Sequence, residues 1–374
     1  RDLRMSRGLG DVYKRQTILF LLYGVATIFI TVLFFMIWRV NMKSAYEVEC
    51  RAKEGKHINT IKEDLEALVD KRLHWTLLTL PILGIVIFTI LPLVFMICMA
   101  FTSYSKVGDH LTIFHWVGLK NFSTVLGMGN SIGKTFWSVL GWTLIWAVLA
   151  TFLNYILGMI LAIVINRKTT RIKGFWRFCF MLSAAIPQFV SLLLMRTMLK
   201  DNGLINNLLV QAGLISSPLP FLTNATWARA TVVIINLWVG IPFTMMQVTG
   251  ILQNIPGELY EAARVDGAGP VTIFFKITLP YMLFVTTPYL ITTFTGNINN
   301  FNVIYLLTAG APVPVGATAG KTDLLVTWLY KLTVDLQYFN VGAVVGILTF
   351  VILAVVSLIT YRNTGSYKNE EGFQ

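Results

Sequence analysis

Charged residues are scarce in this chain, and acidic residues are scarcer than basic ones. Of 374 residues, 13% are charged and 55% are hydrophobic, and 18 acids stand against 30 lysines and arginines. Soluble domains carry about 25% charged residues, so this composition excludes an ordinary soluble protein. No aspartate or glutamate lies inside a long apolar run, as the cost of burying a carboxylate in hydrocarbon demands. The sequence therefore indicates a polytopic membrane protein.

Cysteines and catalytic motifs are also sparse. Cys50, Cys98 and Cys179 are an odd number without motif spacing, so they predict neither a disulfide framework nor a metal site. The Gly-Lys-Thr runs at 133–135 and 320–322 lack the first glycine of a phosphate-binding loop. No nucleophile elbow, His-Glu-x-x-His motif or pair of membrane carboxylates is present. We therefore expect no catalytic residue, metal site or cofactor in this chain, which argues against a lipid-modifying enzyme.

Long apolar runs are plentiful, and about 20 such residues suffice to cross a bilayer. The loop at 166–177 carries five basic residues and no acid, so it should face the cytoplasm. Alternation from this loop places the segments 41–74 and 253–276 inside and the start of the first span outside. The predicted spans are 18–39, 75–101, 138–165, 176–198, 228–252, 277–304 and 339–361.

The predicted fold is an all-α membrane bundle in three segments. Residues 1–16 include Asp-Val-Tyr-Lys-Arg-Gln, which resembles a translated sequencing adaptor, and are set aside as a scar; a signal-peptide n-region is the alternative. Residues 17–74 form a membrane helix and a cytoplasmic linker, in which Thr60 and Glu63 predict a capping box before an amphipathic helix. Residues 75–374 form the main transmembrane domain. Together with the adaptor-like scar, the outside start suggests that at least one upstream helix is missing from this sequence.

The net charge of +12 has a simple explanation in this topology. Basic cytoplasmic loops face anionic membrane lipid, so nucleic acid is not expected as a partner. No ionisable residue lies in the middle of a predicted span, although an ion-coupled secondary transporter would normally need one. Inverted repeats, which such transporters often carry, are not visible either. The sequence therefore favours a neutral substrate and an energy source in another subunit.

The segment 253–276 is a short charged island between two apolar runs. Gly267 suits the left-handed residue that ends a helix, and Leu259, Ala262, Ala263 and Asp266 would share one helical face. Glu-Ala-Ala at 261–263, Gly267, and Ile-x-Leu-Pro at 277–280 together resemble the EAA loop of ABC importer permeases. The alternative is an ordinary connector between membrane helices. The resemblance implies a cytoplasmic coupling helix that docks on an ATP-hydrolysing subunit through Glu258, Glu261, Ala262, Ala263, Asp266 and Gly267.

A polar stretch at 292–302 lies at the end of the sixth predicted span. It holds four asparagines and three threonines, which are costly when they face lipid. Thr293, Asn297 and Asn300 share one face of a continuous helix by their spacing. Amides both donate and accept, which matches sugar hydroxyls, but they can equally join helices to one another. The sequence alone favours neither interpretation.

Two further runs narrow the resemblance. Asn-Asn-Phe-Asn-Val-Ile-Tyr-Leu-Leu-Thr at 299–308 and Gly-Lys-Thr-Asp-Leu-Leu-Val at 320–326 make residues 70–370 similar to the larger permease of maltose/maltodextrin ABC importers, which have the type I fold. The resemblance implies a multi-pass protein of the bacterial plasma membrane that imports a maltodextrin-type sugar, with another neutral oligosaccharide as the alternative. It also implies three partners: a second, related permease, an ATPase dimer that binds ATP and Mg²⁺, and an extracellular sugar-binding protein.

The same resemblance implies a set of sugar contacts. They fall at Gly240, Phe243, Thr293, Asn297 and Asn300. An aromatic contact of the family falls at Gly296, which has no side chain, and Phe243 stands where the family can use tyrosine. Phenylalanine keeps the stacking face but loses the hydroxyl, so the length and linkage of the sugar stay open.

Overall fold

The computed structural model describes residues 2–362 apart from Asp109 and Lys168, with side chains from Gln16 onward. Most side chains of the proposed scar at 1–16, and the end of the main domain at 363–374, therefore lie outside the described residues. The chain divides into two compact units, Arg1–Phe122 with Gln337–Val344, and Ser123–Leu336 with Val345–Gln374.

Most of the described part of the chain is helical, with a single two-stranded hairpin. The helices are α1 Asp2–Lys53, α2 Ile61–Val69, α3 Leu73–Ile85, α4 Leu91–Ala100, α5 Lys120–Leu126, α6 Ser131–Asn166, α7 Lys173–Ala185, α8 Gln188–Met198, α9 Leu204–Gln211, α10 Ala225–Gln253, α11 Gly257–Val265, α12 Pro270–Ile273, α13 Leu279–Ile298, α14 Phe301–Leu307, α15 Leu325–Tyr330 and α16 Phe339–Arg362. Single π-helical turns follow α3, α12 and α15, at Val86–Ile90, Phe274–Thr278 and Lys331–Asp335. The antiparallel strands are β1 Lys106–Val107 and β2 His110–Leu111.

In the first unit, α2 begins at the predicted capping box. The Thr60 amide donates to Glu63 Oε2 at 2.7 Å, and the Glu63 amide donates to Thr60 Oγ1 at 3.4 Å. These two bonds satisfy orphan donors of the first helical turn, which confirms the predicted helix. At the other end of this unit, Asn121 Nδ2 donates to the carbonyls of Ala100 and Thr102 at 2.8 and 2.7 Å. The bonds hold the chain where it leaves α4.

In the second unit, α6 and α10 pack so closely that two glycines face side chains. A Cβ added at Gly158 would lie 2.7 Å from Thr244 Cβ, and one added at Gly240 would lie 2.7 Å from the amide of Asn154. Around this contact lie buried residues from several helices, including Trp146, Met245 and Met282. Small residues that let backbones approach are the usual way to join membrane helices, because lipid offers no hydrophobic driving force.

Six helical segments of the described chain are long and apolar enough to cross a membrane. They are Gln16–Lys53, Leu73–Ala100, Ser131–Asn166, Ala225–Gln253, Pro270–Leu307 and Phe339–Arg362. The seventh predicted span, 176–198, is not one helix: α7 and α8 meet at an angle of 85°. Ile186 and Pro187 are both extended there, with ψ of 129° and 125°. Proline lacks an N–H and disfavours a helical residue before it, so the chain breaks at this pair. The predicted all-α membrane bundle is confirmed, with this span bent.

The sixth predicted span, 277–304, is also interrupted. Helix α13 ends at Ile298, and α14 begins at Phe301 with Asn300 as its N-cap. The prediction of one continuous helical face through Thr293, Asn297 and Asn300 is therefore wrong. The Asn300 side chain accepts a bond from the Val303 amide at 3.2 Å, so the local capping bond begins a new helix where the pattern predicted continuation.

Candidate functional site

The charged island forms the predicted helix. Helix α11 covers nine residues, Gly257–Val265, with Pro256 immediately before it at the N-cap. At its end Gly267 has φ of +77°, and its amide donates to the Arg264 carbonyl at 3.0 Å. The Ala268 amide donates to the Ala263 carbonyl at 2.9 Å. This pair of bonds around a left-handed residue is the Schellman motif, which only glycine adopts without a steric cost.

The structure brings all six predicted coupling residues together on α11 and its C-terminal turn. Ala263 is half-buried, whereas the other five are exposed: Glu258, Glu261, Ala262, Asp266 and Gly267. The three carboxylates form no ion pair with any described residue. The helix thus presents a small, acidic, unpaired surface. Its role in docking remains a prediction.

One side-chain bond joins α11 to the following membrane segment. The Tyr260 hydroxyl lies 3.2 Å from the Thr278 hydroxyl, at the end of the π-helical turn that precedes α13. Thr278 is buried, and α13 continues directly from it. The bond therefore links α11 to the residue from which the helix with the polar stretch begins.

The predicted sugar-binding asparagines are bonded to neighbouring helices. Asn297 is buried, and its Nδ2 donates to Thr151 Oγ1 on α6 at 3.0 Å. The backbone carbonyl of Asn297 accepts a bond from Trp146 Nε1 at 3.0 Å. Asn300 Nδ2 lies 3.4 Å from Asn236 Oδ1 on α10. These contacts support the interhelical interpretation of the two amides. Thr293 is half-buried at one turn before Asn297.

The other two predicted contacts lie on α10 and differ from each other. Gly240 faces the Asn154 amide, so its lack of a side chain already has a packing reason. Phe243 is 51% exposed and lines a cavity of about 270 Å³ together with Pro187 and Gln188. The cavity therefore lies against the break between α7 and α8. An exposed aromatic ring of this kind can stack on a sugar ring.

Several polar groups that the sequence analysis did not single out join these helices. Tyr155 and Thr286 share a buried bond of 2.7 Å between α6 and α13, and Thr244 and Tyr289 share one of 3.1 Å between α10 and α13. Asn154 Oδ1 is buried without a partner. The signal for these residues was their polarity inside apolar runs, but their partners are far away in sequence. In the described residues, no group of three or more His, Cys, Asp or Glu side chains could hold a metal ion.

Comparison with known proteins identifies the family from sequence. Residues 154–364 match the binding-protein-dependent transport system inner membrane component family. The galactooligosaccharides transport system permease protein GanP of Bacillus subtilis (strain 168) is 35% identical over 97% of this chain and 87% of that protein. The maltodextrin transport system permease protein MdxF of the same organism is 34% identical over 97% and 86%.

A solved structure shows the shared fold. The match is to the crystal structure of a bacterial ABC transporter involved in the import of the acidic polysaccharide alginate. It covers 80% of this chain and 96% of the matched chain, with a TM-score of 0.64 and 23% identity. With its apolar spans, its exposed loop helix and its relatives, the chain belongs to the family of inner-membrane components of binding-protein-dependent transport systems.

Proposed function

We propose that this chain is the larger permease subunit of an ATP-driven importer for a neutral oligosaccharide. The observation that carries the proposal is α11, a nine-residue exposed helix that lies between two membrane segments and ends in a glycine-dependent turn. A surface connector has no need of three unpaired carboxylates beside alanines on one short helix. A docking helix does need such a surface, because its partner must approach closely and find complementary charge.

The proposed cycle uses the bond between Tyr260 and Thr278. ATP and Mg²⁺ are held by a separate ATPase dimer, which supplies the energy of transport. Closure of that dimer moves α11, and the bond passes the movement to α13. Helix α13 carries Thr293 and Asn297, and α10 carries Phe243, so the predicted sugar contacts change their spacing as the cycle proceeds. A second, related permease supplies the other half of the path.

Maltodextrin is the proposed substrate, and a galactooligosaccharide is the second candidate. Two relatives that differ by one percentage point of identity carry these two sugars in their names. Both sugars are neutral and rich in hydroxyls, which suits amides, threonines and an exposed phenylalanine. Neither sugar requires a charged side chain within the membrane for its binding, and no charged side chain lies in the middle of a predicted span.

The test is the ATPase activity of the reconstituted four-subunit complex with its binding protein. We expect binding protein loaded with maltotriose to stimulate hydrolysis several-fold over the unloaded protein. Stimulation by a β-linked galactotriose instead would move the substrate to the second candidate. If no oligosaccharide-loaded binding protein stimulates hydrolysis, the importer function itself is refuted.

A further inference from the structure

A polar cavity of about 470 Å³ lies between the first turns of α6, the first turns of α10 and the segment that follows α14. Its lining includes Lys134 and Arg229 from the two helices, and Lys321 and Asp323 from the segment. The cavity is separate from the predicted sugar contacts. None of Gly240, Phe243, Thr293, Asn297 and Asn300 lines it.

The cavity carries an uncompensated positive charge. Asp323 is fully buried, and its Oδ2 lies 2.6 Å from Lys331 Nζ and accepts a bond from the Gly320 amide at 2.7 Å. Lys331 does not line the cavity, so the charge of Asp323 is already neutralised from outside it. Lys134, Arg229 and Lys321 have no carboxylate within 4.0 Å among the described residues. Three like charges around one cavity raise its affinity for an anion.

The walls of the cavity are fixed before anything binds. Arg229 Nε donates to the Lys321 carbonyl at 2.9 Å, and the guanidinium carbon lies 4.5 Å from the centroid of the Trp142 ring. Trp142 Nε1 donates in turn to the Thr322 carbonyl at 3.3 Å. A side chain held in this way loses little conformational freedom when a ligand arrives. The guanidinium is therefore preorganised for an anionic group.

Beside the cavity lies an exposed apolar tip. Pro314 lines the cavity, and its neighbours Val313 and Val315 are 52% exposed and fully exposed, respectively. Exposed apolar side chains beside a basic cavity are typical of protein docking surfaces. A lipid headgroup would need the charge but not the exposed valines beside it.

We propose that this cavity and the 313–315 tip are the docking site for the extracellular sugar-binding protein, with the cavity receiving a carboxylate side chain of that protein. The proposal rests on the proposed function, in which the basic loop at 166–177 is cytoplasmic. With that loop inside, the first turns of α6 and α10 lie on the outer side of the membrane. It adds the partner's chemistry: an acidic side chain beside an apolar patch.

The test is a titration of sugar-loaded binding protein against the reconstituted complex in phosphatidylcholine vesicles. The variant is Lys134→Glu with Lys321→Glu, and the matched control is Lys200→Glu, an exposed lysine of an outer loop that does not line the cavity. We expect the half-saturating concentration of binding protein to rise about tenfold in the double variant. In the double variant the half-saturating concentration should depend less on salt than in the wild type. The Val315→Ser variant should also have a raised half-saturating concentration. The control should stay within about twofold of the wild type.

Direct binding to the immobilised complex, without ATP, separates this proposal from the proposed function. Binding without stimulation of hydrolysis would refute the importer function while still showing whether the double variant loses affinity. Stimulation with an unchanged half-saturating concentration in the double variant would refute only the docking site. A defect that appears only in vesicles containing phosphatidylglycerol would also refute it, in favour of a lipid headgroup. Absence of any binding to the wild type would refute both.

Discussion

The hydroxyl of Tyr260 lies 3.2 Å from the hydroxyl of Thr278, and this bond ties α11 to the membrane segment that continues into α13. Tyr260 comes from the exposed loop helix, whereas Thr278 is buried at the end of a π-helical turn. Among the described residues, no other side-chain hydrogen bond involves α11. The bond joins α11 to the membrane segment through side chains as well as through the backbone.

Tyr260→Phe should weaken the coupling of ATP hydrolysis to transport. The substitution removes a hydrogen bond worth about 1 kcal/mol and leaves the ring and the fold in place. We expect a normal amount of complex in the membrane, with more ATP hydrolysed for each sugar imported. The control is Tyr281→Phe, since the Tyr281 hydroxyl makes no hydrogen bond to another described residue. An unchanged ratio of hydrolysis to transport in Tyr260→Phe would mean that the bond carries no coupling.

Glu261→Lys should abolish stimulation of the ATPase without disturbing the fold. Glu261 is exposed and forms no ion pair with a described residue, so the new lysine breaks no bond within the chain. Only a partner can sense the reversed charge. Stimulated hydrolysis and complex assembly are measured together, with Asp70→Lys, an exposed acid on the α2 turn, as control. Full stimulation in Glu261→Lys would show that α11 is a connector after all.

Gly267→Pro should also uncouple the complex, for a backbone reason. Proline fixes φ near −65°, whereas Gly267 has φ of +77° and donates its amide to the Arg264 carbonyl. The terminal turn of α11 would have to rearrange, while the membrane helices stay intact. We expect sugar-stimulated hydrolysis to fall more than in Gly267→Ala, which keeps the amide. Equal activity of the two variants would contradict a role for this turn.

Gly240→Ala should destabilise the bundle. Its Cβ would lie 2.7 Å from the Asn154 amide, and overpacking of this kind costs about 1–3 kcal/mol. We expect a lower thermal unfolding midpoint of the purified complex in detergent. Gly250→Ala on the same helix is the control, because a Cβ there meets nothing within 4 Å. Asn154→Ala should restore part of the loss. A normal midpoint with lost sugar uptake would instead make Gly240 a sugar contact.

Asn297→Leu should reduce sugar uptake without preventing assembly. The structure gives this test a partner variant, Thr151→Val, which removes the same 3.0 Å bond from the other side. If Asn297 also binds sugar, uptake falls in Asn297→Leu and is largely kept in Thr151→Val. Equal behaviour of the two variants, with lowered stability in both, would show that the amide serves only to join α6 and α13.

Local chemistry made the loop helices predictable from sequence. The Thr60–Glu63 capping box and Gly267 each act within a few residues, so their patterns carry the structure with them. The break at Ile186–Pro187 was different, because Pro242 and Pro288 lie inside unbroken helices. Proline alone does not decide between a kink and a break. Neighbouring helices decide, and the sequence does not show which neighbours they are.

The hydrogen-bond partners of the polar side chains could not be predicted either, because the sequence does not show which helices are neighbours. Asn297 bonds to Thr151, and Arg229 to the Lys321 carbonyl, across separations of 146 and 92 residues. The Asp323–Lys331 ion pair has a spacing of eight residues, which no regular helix brings together in this way. The polar stretch at 292–302 singled out Asn297 in the sequence, but only the packing of α6, α10 and α13 shows what it touches.

The close contact between α6 and α10 also limits how this molecule can move. Asn154 and Thr244 pack directly against the facing glycines, Gly240 and Gly158. The two helices therefore have no room to slide past each other and must move as one rigid body. Any large rearrangement then has to be absorbed at joints that lack regular backbone bonding. The extended pair Ile186–Pro187 is such a joint. This break lies in the second unit, outside the contact between α6 and α10.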